Sequence, residues 1–241
     1  MAKTNRCQDV APSQFGPRWA RWVGRFLARI VWDTNFAGKD RIPKEGPVVL
    51  VANHIGILDG PLLLGVLPRP THFLVKEEMF VGPIGWLLQK AGQISVDRGS
   101  GRAALQAGLA VLKRGGVVGV FPEGVRGQGA VSQARAGAAW LAVQGGATVV
   151  PVAILGTRRT GESVNNVPWP RRKLAMIAGR PLTMPATADK SRREAVTLVT
   201  DAIQKGLSEH VIRAVAATGI QLPEDQPLHA ARDVREDRQR D

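Results

Sequence analysis

Apolar runs and helical patterns alternate along the chain at intervals of about ten residues. Val48-Val49-Leu50-Val51-Ala52 is continuous and β-branched, the pattern of a strand covered on both faces. Comparable runs lie at 71–75, 93–96, 117–121, 148–154 and 173–178. Helical spacing falls between them, at 57–67, 83–91, 100–114 and 138–144. A long final helix opens on the capping box Ser191-Arg192-Arg193-Glu194 and continues through Val199, Ile203 and Val211. Pro151 inside the run 148–154 implies an edge or bulged strand. Residues 33–47 carry Gly38, Pro43, Gly46 and Pro47 and read as a connector. Strands alternating with helices predict an α/β fold: one domain with a largely parallel (mixed) sheet flanked by helices.

The ends behave differently. Residues 1–14 and 223–241 lack periodicity and are expected to be disordered, which leaves 34–222 as the domain. Over 15–33, Trp19, Trp22, Val23, Phe26, Leu27, Ile30 and Val31 share one helical face, with Arg18, Arg21, Arg25 and Arg29 at its flanks. Tryptophan beside arginine on an amphipathic helix suits a bilayer interface, so Trp19, Trp22, Phe26, Arg21 and Arg25 are the candidate membrane contacts. The competing reading packs this helix on its own domain. No apolar run reaches the roughly 18–20 residues of a membrane span, and the N-terminus lacks a signal peptide's apolar core. The expected location is therefore peripheral, on the cytoplasmic face of the cell membrane.

The formal charge of +13 on 241 residues attracts anions. Aromatics make up only 5% and no nucleic-acid-binding motif is present, so no nucleic-acid partner is expected and an anionic membrane surface is. The single Cys7 excludes an internal disulfide, and His54, His72, His210 and His229 show no metal-ligand spacing, so no metal is expected.

The chemistry concentrates at Asn53-His54-Ile55-Gly56-Ile57-Leu58-Asp59, where a strand gives way to a helix. Ligands of α/β sheets bind at such strand ends. On a continuous helix, side chains five apart would diverge by about 140°. A turn at Ile55-Gly56, made accessible by glycine's tolerance of positive φ, would return Asp59 to the imidazole. A histidine held by a carboxylate acts as a general base. His54 and Asp59 are thus the candidate catalytic pair, against the plainer reading that each caps its own element.

Three further stretches complete a pattern. Gly92-Gln93-Ile94-Ser95-Val96-Asp97-Arg98, Phe121-Pro122-Glu123-Gly124-Val125-Arg126 and Val150-Pro151-Val152 follow the first block in order. Together the four blocks resemble the glycerolipid acyltransferases, in particular the 1-acylglycerol-3-phosphate acyltransferases. The resemblance implies acyl transfer from acyl-CoA or acyl-carrier protein, as donor substrate and with no other cofactor, to the sn-2 hydroxyl of a lysophospholipid acceptor. It implies Arg98, with Lys76 or Arg126, as ligands of the acceptor's phosphate. Glu123 would accept from a glycerol hydroxyl or orient Arg98 or Arg126, and Gly124 would let backbone approach the ligand. Arg158 and Arg159 stand as unspecific carrier-phosphate contacts. Gly56 and Val125 stand where the family favours Ser and Thr, which leaves the acceptor open to glycerol-3-phosphate, another lysophospholipid or a glycolipid. A non-catalytic binder of anionic lipid is the remaining alternative.

Overall fold

The computed structural model describes residues 12–97, 101–124 and 126–225. Seven strands form one sheet: β1 (Asp33–Ala37), β2 (Val48–Ala52), β3 (Thr71–Lys76), β4 (Ile94–Val96), β5 (Val117–Val120), β6 (Thr148–Leu155) and β7 (Lys173–Ala178). Their order is β1-β7-β6-β2-β5-β3-β4. All neighbours are parallel except β6 and β7. The helices are α1 (Phe15–Phe26), α2 (Asp59–Val66), α3 (Gly82–Lys90), α4 (Arg102–Lys113), α5 (Gly137–Gly145) and α6 (Arg192–Thr218).

Alternation along β2 sorts the core into two layers. Val49 and Val51 join the cluster under α4, α5 and α6, while Val48, Leu50 and Ala52 join the one under α1 and α2. Both faces of the sheet are covered, which is why its central strands are apolar throughout. The capping box forms as expected: the Ser191 hydroxyl accepts from Glu194 N, and the Glu194 carboxylate accepts from Ser191 N.

Several sequence expectations are corrected. The connector at 33–47 contains an edge strand, β1, which pairs in parallel with β7; its mixed polar pattern concealed it. Helix α2 begins at Asp59 rather than at 57. Pro151 lies in an internal strand. Its carbonyl accepts from Gly179 N on the β7 side, and the β6–β7 ladder starts only at Val152. The ring nitrogen faces the same side, just past the end of the β6–β7 ladder, so the pairing with β2 is undisturbed.

Helix α1 stops at Phe26 and gives way to a single π-helical segment, Leu27–Val31. It packs on the domain, but not through its large apolar residues. Gly16, Pro17, Ala20 and Gly24 face inward, while Trp22 and Phe26 remain 71% and 57% exposed. Gly24 of α1 crosses Gly65 of α2 backbone to backbone, and a Cβ at Gly24 would lie 2.6 Å from the Pro61 carbonyl oxygen. At the C-terminus, Arg158 holds the chain beyond residue 222 to the domain by an ion pair with Asp225 at 2.7 Å.

Candidate active site

Strands β2, β5 and β6 are adjacent and parallel, so their C-terminal ends share one rim of the sheet. Each delivers polar groups there: Asn53 and His54 after β2, Glu123 after β5, Thr157 after β6. Asn53 is fully buried. Its side chain accepts from Ile154 N at 2.7 Å and donates to Ile154 O at 3.0 Å. This pair extends the β2–β6 connection past the last backbone rung and fixes where His54 leaves the sheet.

His54 Nδ1 lies 2.8 Å from Asp59 Oδ2. The same oxygen accepts from Ile55 N at 2.7 Å and Gly56 N at 2.9 Å. Asp59 Oδ1 accepts from the Thr157 hydroxyl at 2.5 Å. Four donors compensate a carboxylate with no exposed surface, which would otherwise be costly to bury. They also explain the turn. Asp59 reaches back three and four residues to two backbone N–H groups, and that closure replaces the positive-φ glycine expected at Gly56, whose φ is not positive. An acceptor at Nδ1 places the neutral ring's proton there and leaves Nε2 as the basic nitrogen.

The imidazole stacks on Phe121 at 4.1 Å between centroids, and Phe121 stacks on Phe73 at 5.7 Å. Ring orientation is therefore set by the carboxylate at the edge and the aromatic column on the face. The His54 side chain keeps 19% exposure, open enough for a substrate hydroxyl.

Glu123 Oε1 accepts from His54 N at 3.1 Å. It braces the backbone of the base and does not pair with Arg126, contrary to one expectation. Burial raises the Glu123 carboxyl from its ordinary 4.5 to about 7; the His54 N–H opposes the rise and the Asp59 charge adds to it. The folded state thus holds this proton more tightly than the unfolded chain. The stabilisation is complete below the unfolded value and is lost as pH rises through about 7. Glu123→Gln keeps the acceptor and removes the titration. Denaturant unfolding should show wild type losing about 1–3 kcal/mol more than the variant between roughly pH 5 and 8.

Gly124 has φ +71°, and the side chain nearest it is Arg135, with Nε 2.5 Å from where a Cβ would stand. The positive φ of the turn is enough to explain the glycine. Arg126 is half-buried and donates to Val164 O at 3.2 Å and Asn165 Oδ1 at 2.7 Å; burial lowers its pKa, with the Asp59 charge acting against it. Lys76 ends β3, two strands from β2 and roughly 10 Å across the sheet. Arg98 lies outside the described residues. It follows β4, the edge strand three places from β2. The structure therefore gathers His54, Asp59, Glu123, Gly124 and Arg126, leaves Lys76 further along the rim, and sets Trp19, Trp22, Phe26, Arg21 and Arg25 apart on α1.

Arg158 is not a phosphate contact. It is 1% exposed, with donors committed to Glu162 O, Gly127 O and Asp225. Thr157, its neighbour, is the functional residue that the sequence reading passed over. The only signal was a hydroxyl directly after a strand end on the rim. Thr157→Val should lower kcat about tenfold with little change in KM for the acceptor, and Thr157→Ser should restore it, since a hydrogen bond to a charged group contributes about 1.5–3 kcal/mol. Among the described residues no three His, Cys, Asp or Glu side chains group as a metal site.

Comparison with known proteins defines the class. A family model described as Acyltransferase matches residues 33–155, the span that carries all four sequence blocks. The 1-acyl-sn-glycerol-3-phosphate acyltransferase of Bacillus subtilis (strain 168) is 30% identical over 174 residues, covering 71% of this chain and 84% of that protein. The chain belongs to the acyltransferase family, and it is an enzyme. A lyso-ornithine lipid O-acyltransferase of Pseudomonas aeruginosa is 37% identical over 158 residues, covering 64% of this chain and 58% of that protein. The crystal structure of the 1-acyl-sn-glycerophosphate acyltransferase PlsC from Thermotoga maritima shares the fold, with a TM-score of 0.57 at 24% identity over 80% of this chain and 79% of that one.

Proposed function

We propose that this acyltransferase moves a fatty acyl group from acyl-CoA or acyl-carrier protein to the sn-2 hydroxyl of 1-acylglycerol-3-phosphate. The observation that carries the reading is the His54–Asp59 pair, 2.8 Å apart at the strand rim and held by Thr157 and two backbone N–H groups. His54 Nε2 removes the proton of the acceptor hydroxyl as its oxygen attacks the thioester carbonyl. The buried Asp59 stabilises the imidazolium that forms. Collapse of the tetrahedral intermediate expels the carrier thiolate, which takes the proton back from His54. No acyl-enzyme is required. Arg126 is a described guanidinium on this rim, and Arg98 is the further phosphate ligand implied by the family pattern.

A second acceptor class is favoured by one observation: the relative with 37% identity is named for a lyso-ornithine lipid. Gly56 and Val125, which lack the hydroxyls the family favours, fit a changed acceptor. Purified protein with acyl-CoA and three acceptors, namely 1-acylglycerol-3-phosphate, lyso-ornithine lipid and glycerol-3-phosphate, separates the readings. Preferred turnover of the first supports the proposal. Turnover of the second alone transfers it to the other acceptor.

Two of these acceptors carry an acyl chain that partitions into a bilayer, and the outer surface supports membrane contact. No described helix is long and apolar enough to cross a membrane. Helix α1 presents Phe15, Trp22 and Phe26 outward. Its neighbour α3 buries only Gly85 and exposes Ile84, Trp86 and Leu87. The two helices touch where the Trp19 indole donates to Lys90 O at 3.1 Å. Trp86→Ser is expected to weaken sedimentation with phosphatidylcholine–phosphatidylglycerol vesicles several-fold, the loss of about 1–2 kcal/mol of buried ring area. Unchanged sedimentation would remove α3 from the contact.

A further inference from the structure

Helix α1 has three faces. At 100° per residue, Gly16, Ala20 and Gly24 turn toward the domain, Arg18, Arg21 and Arg25 fall within roughly 60° of one another, and Trp22, Phe15, Phe26 and Trp19 occupy about the next 60°. Arg18, Arg21, Trp22 and Arg25 line a cavity of about 90 Å³, room for one tetrahedral anion and not for a nucleotide. Arg25 stands 5.4 Å from the centre of the Trp22 ring and Arg18 stands 5.6 Å from that of Phe15. Within this cluster Arg21 Nε is buried and has no hydrogen-bond partner. No acidic residue lies in the first turn of the helix.

Two costs therefore coincide: a buried donor without an acceptor, and like charges three and four residues apart. An anion in the cavity would relieve the repulsion between these like charges. Partial burial and the nearby Arg25 charge lower the pKa of Arg21, in keeping with a half-buried guanidinium beside a like charge.

We propose that Arg18, Arg21 and Arg25 form a cradle that binds the phosphate of a membrane lipid, separate from the His54–Asp59 site. The inference rests on the membrane contact set out above. A lipid is favoured over free phosphate because the cradle borders the exposed aromatic stripe, and rings next to guanidinium groups match the headgroup level of a bilayer. Phosphatidic acid, with its terminal phosphomonoester, is the headgroup best suited to three forked donors.

The test is sedimentation of the full chain with phosphatidylcholine vesicles, with and without phosphatidic acid. Arg21→Gln is compared with Arg29→Gln, which removes the same charge from an exposed position on the following turn. Arg21→Gln is expected to weaken binding to the phosphatidic acid vesicles tenfold or more, about the loss of a charge-assisted hydrogen bond. Arg29→Gln should cost about fivefold or less, the share of one surface charge. Equal losses would mean diffuse attraction and overturn the cradle. If inorganic phosphate alone raises the melting temperature of wild type but not of Arg21→Gln, while vesicle binding ignores the substitution, the site serves a soluble anion and the lipid assignment fails. Turnover of a monomeric short-chain acceptor should be unchanged in Arg21→Gln. This readout keeps the outcome apart from the acyl-transfer proposal, since that chemistry can fail or hold without moving the vesicle comparison.

Discussion

His54→Ala is expected to lower kcat by about 10²–10⁴, the contribution of a positioned general base, while the protein stays folded. The substitution deletes the ring that bridges Asp59 and Phe121. It leaves Asp59 with the Ile55, Gly56 and Thr157 donors, so the buried carboxylate remains compensated. The stability cost should therefore be modest, about 1–2 kcal/mol for one lost hydrogen bond and its stacking. Steady-state release of CoA thiol, with circular dichroism on the same sample, checks both parts. Asp59→Asn should behave differently. An amide cannot accept from all four donors, because its own NH₂ must face one of them. That variant is expected to lose stability together with turnover. Normal turnover by folded His54→Ala would sink the base assignment.

Gly65→Val is expected to be the most damaging of the surface-remote substitutions. A Cβ at Gly65 would collide with the backbone of Gly24, and backbone cannot rotate away as a flexible side chain can. Overpacking of side chains commonly costs about 1–3 kcal/mol, so a backbone clash should reach or exceed the top of that range. Relief requires α1 to lift from α2. The variant should melt lower and should expose Ala20 and Ala28 to solvent. Gly60→Ala, in the same helix, is the internal contrast. The nearest atom to a Cβ there is Phe121 Cε2 at 4.0 Å, so alanine should be neutral or stabilise by up to about 1 kcal/mol. Thermal unfolding of both variants tests whether the α1–α2 crossing, rather than helix propensity, explains the glycine. Equal melting temperatures for Gly65→Val and wild type would contradict the crossing.

The local signals in the sequence were strong where burial is two-sided. Strands β2, β5 and β6 are legible because a strand covered on both faces must be apolar at every position. The dyad was legible as a pair of residue types at a strand end, and the capping box as a four-residue signature. Beta-strand β1 was not legible, because an edge strand with alternating exposure is not uniformly apolar. The side of α1 that faces the domain was not legible for a related reason. Helix crossings at backbone distance select glycine and alanine, and such small residues carry little weight in any hydrophobic pattern. Helix α3 shows the converse, an apolar pattern that is not buried within this chain. Arg158 and Pro151 looked like a surface cation and an edge marker, yet both lie inside, because partners distant in sequence, Asp225 and Gly179, receive them.

What the sequence determined by itself was chemistry and local form: which residues can take a proton, where apolar runs demand strands, and where a helix must start. These depend on side-chain type and on neighbours within a few residues. The tertiary structure decided which of those groups meet. Strand order set β5 and β6 on either side of β2, and that choice brought Glu123 to the His54 backbone and Thr157 to Asp59, 98 positions away in the chain. No local pattern encodes such a meeting, because it follows from how whole strands pair and layers pack, and those energies belong to the assembled core.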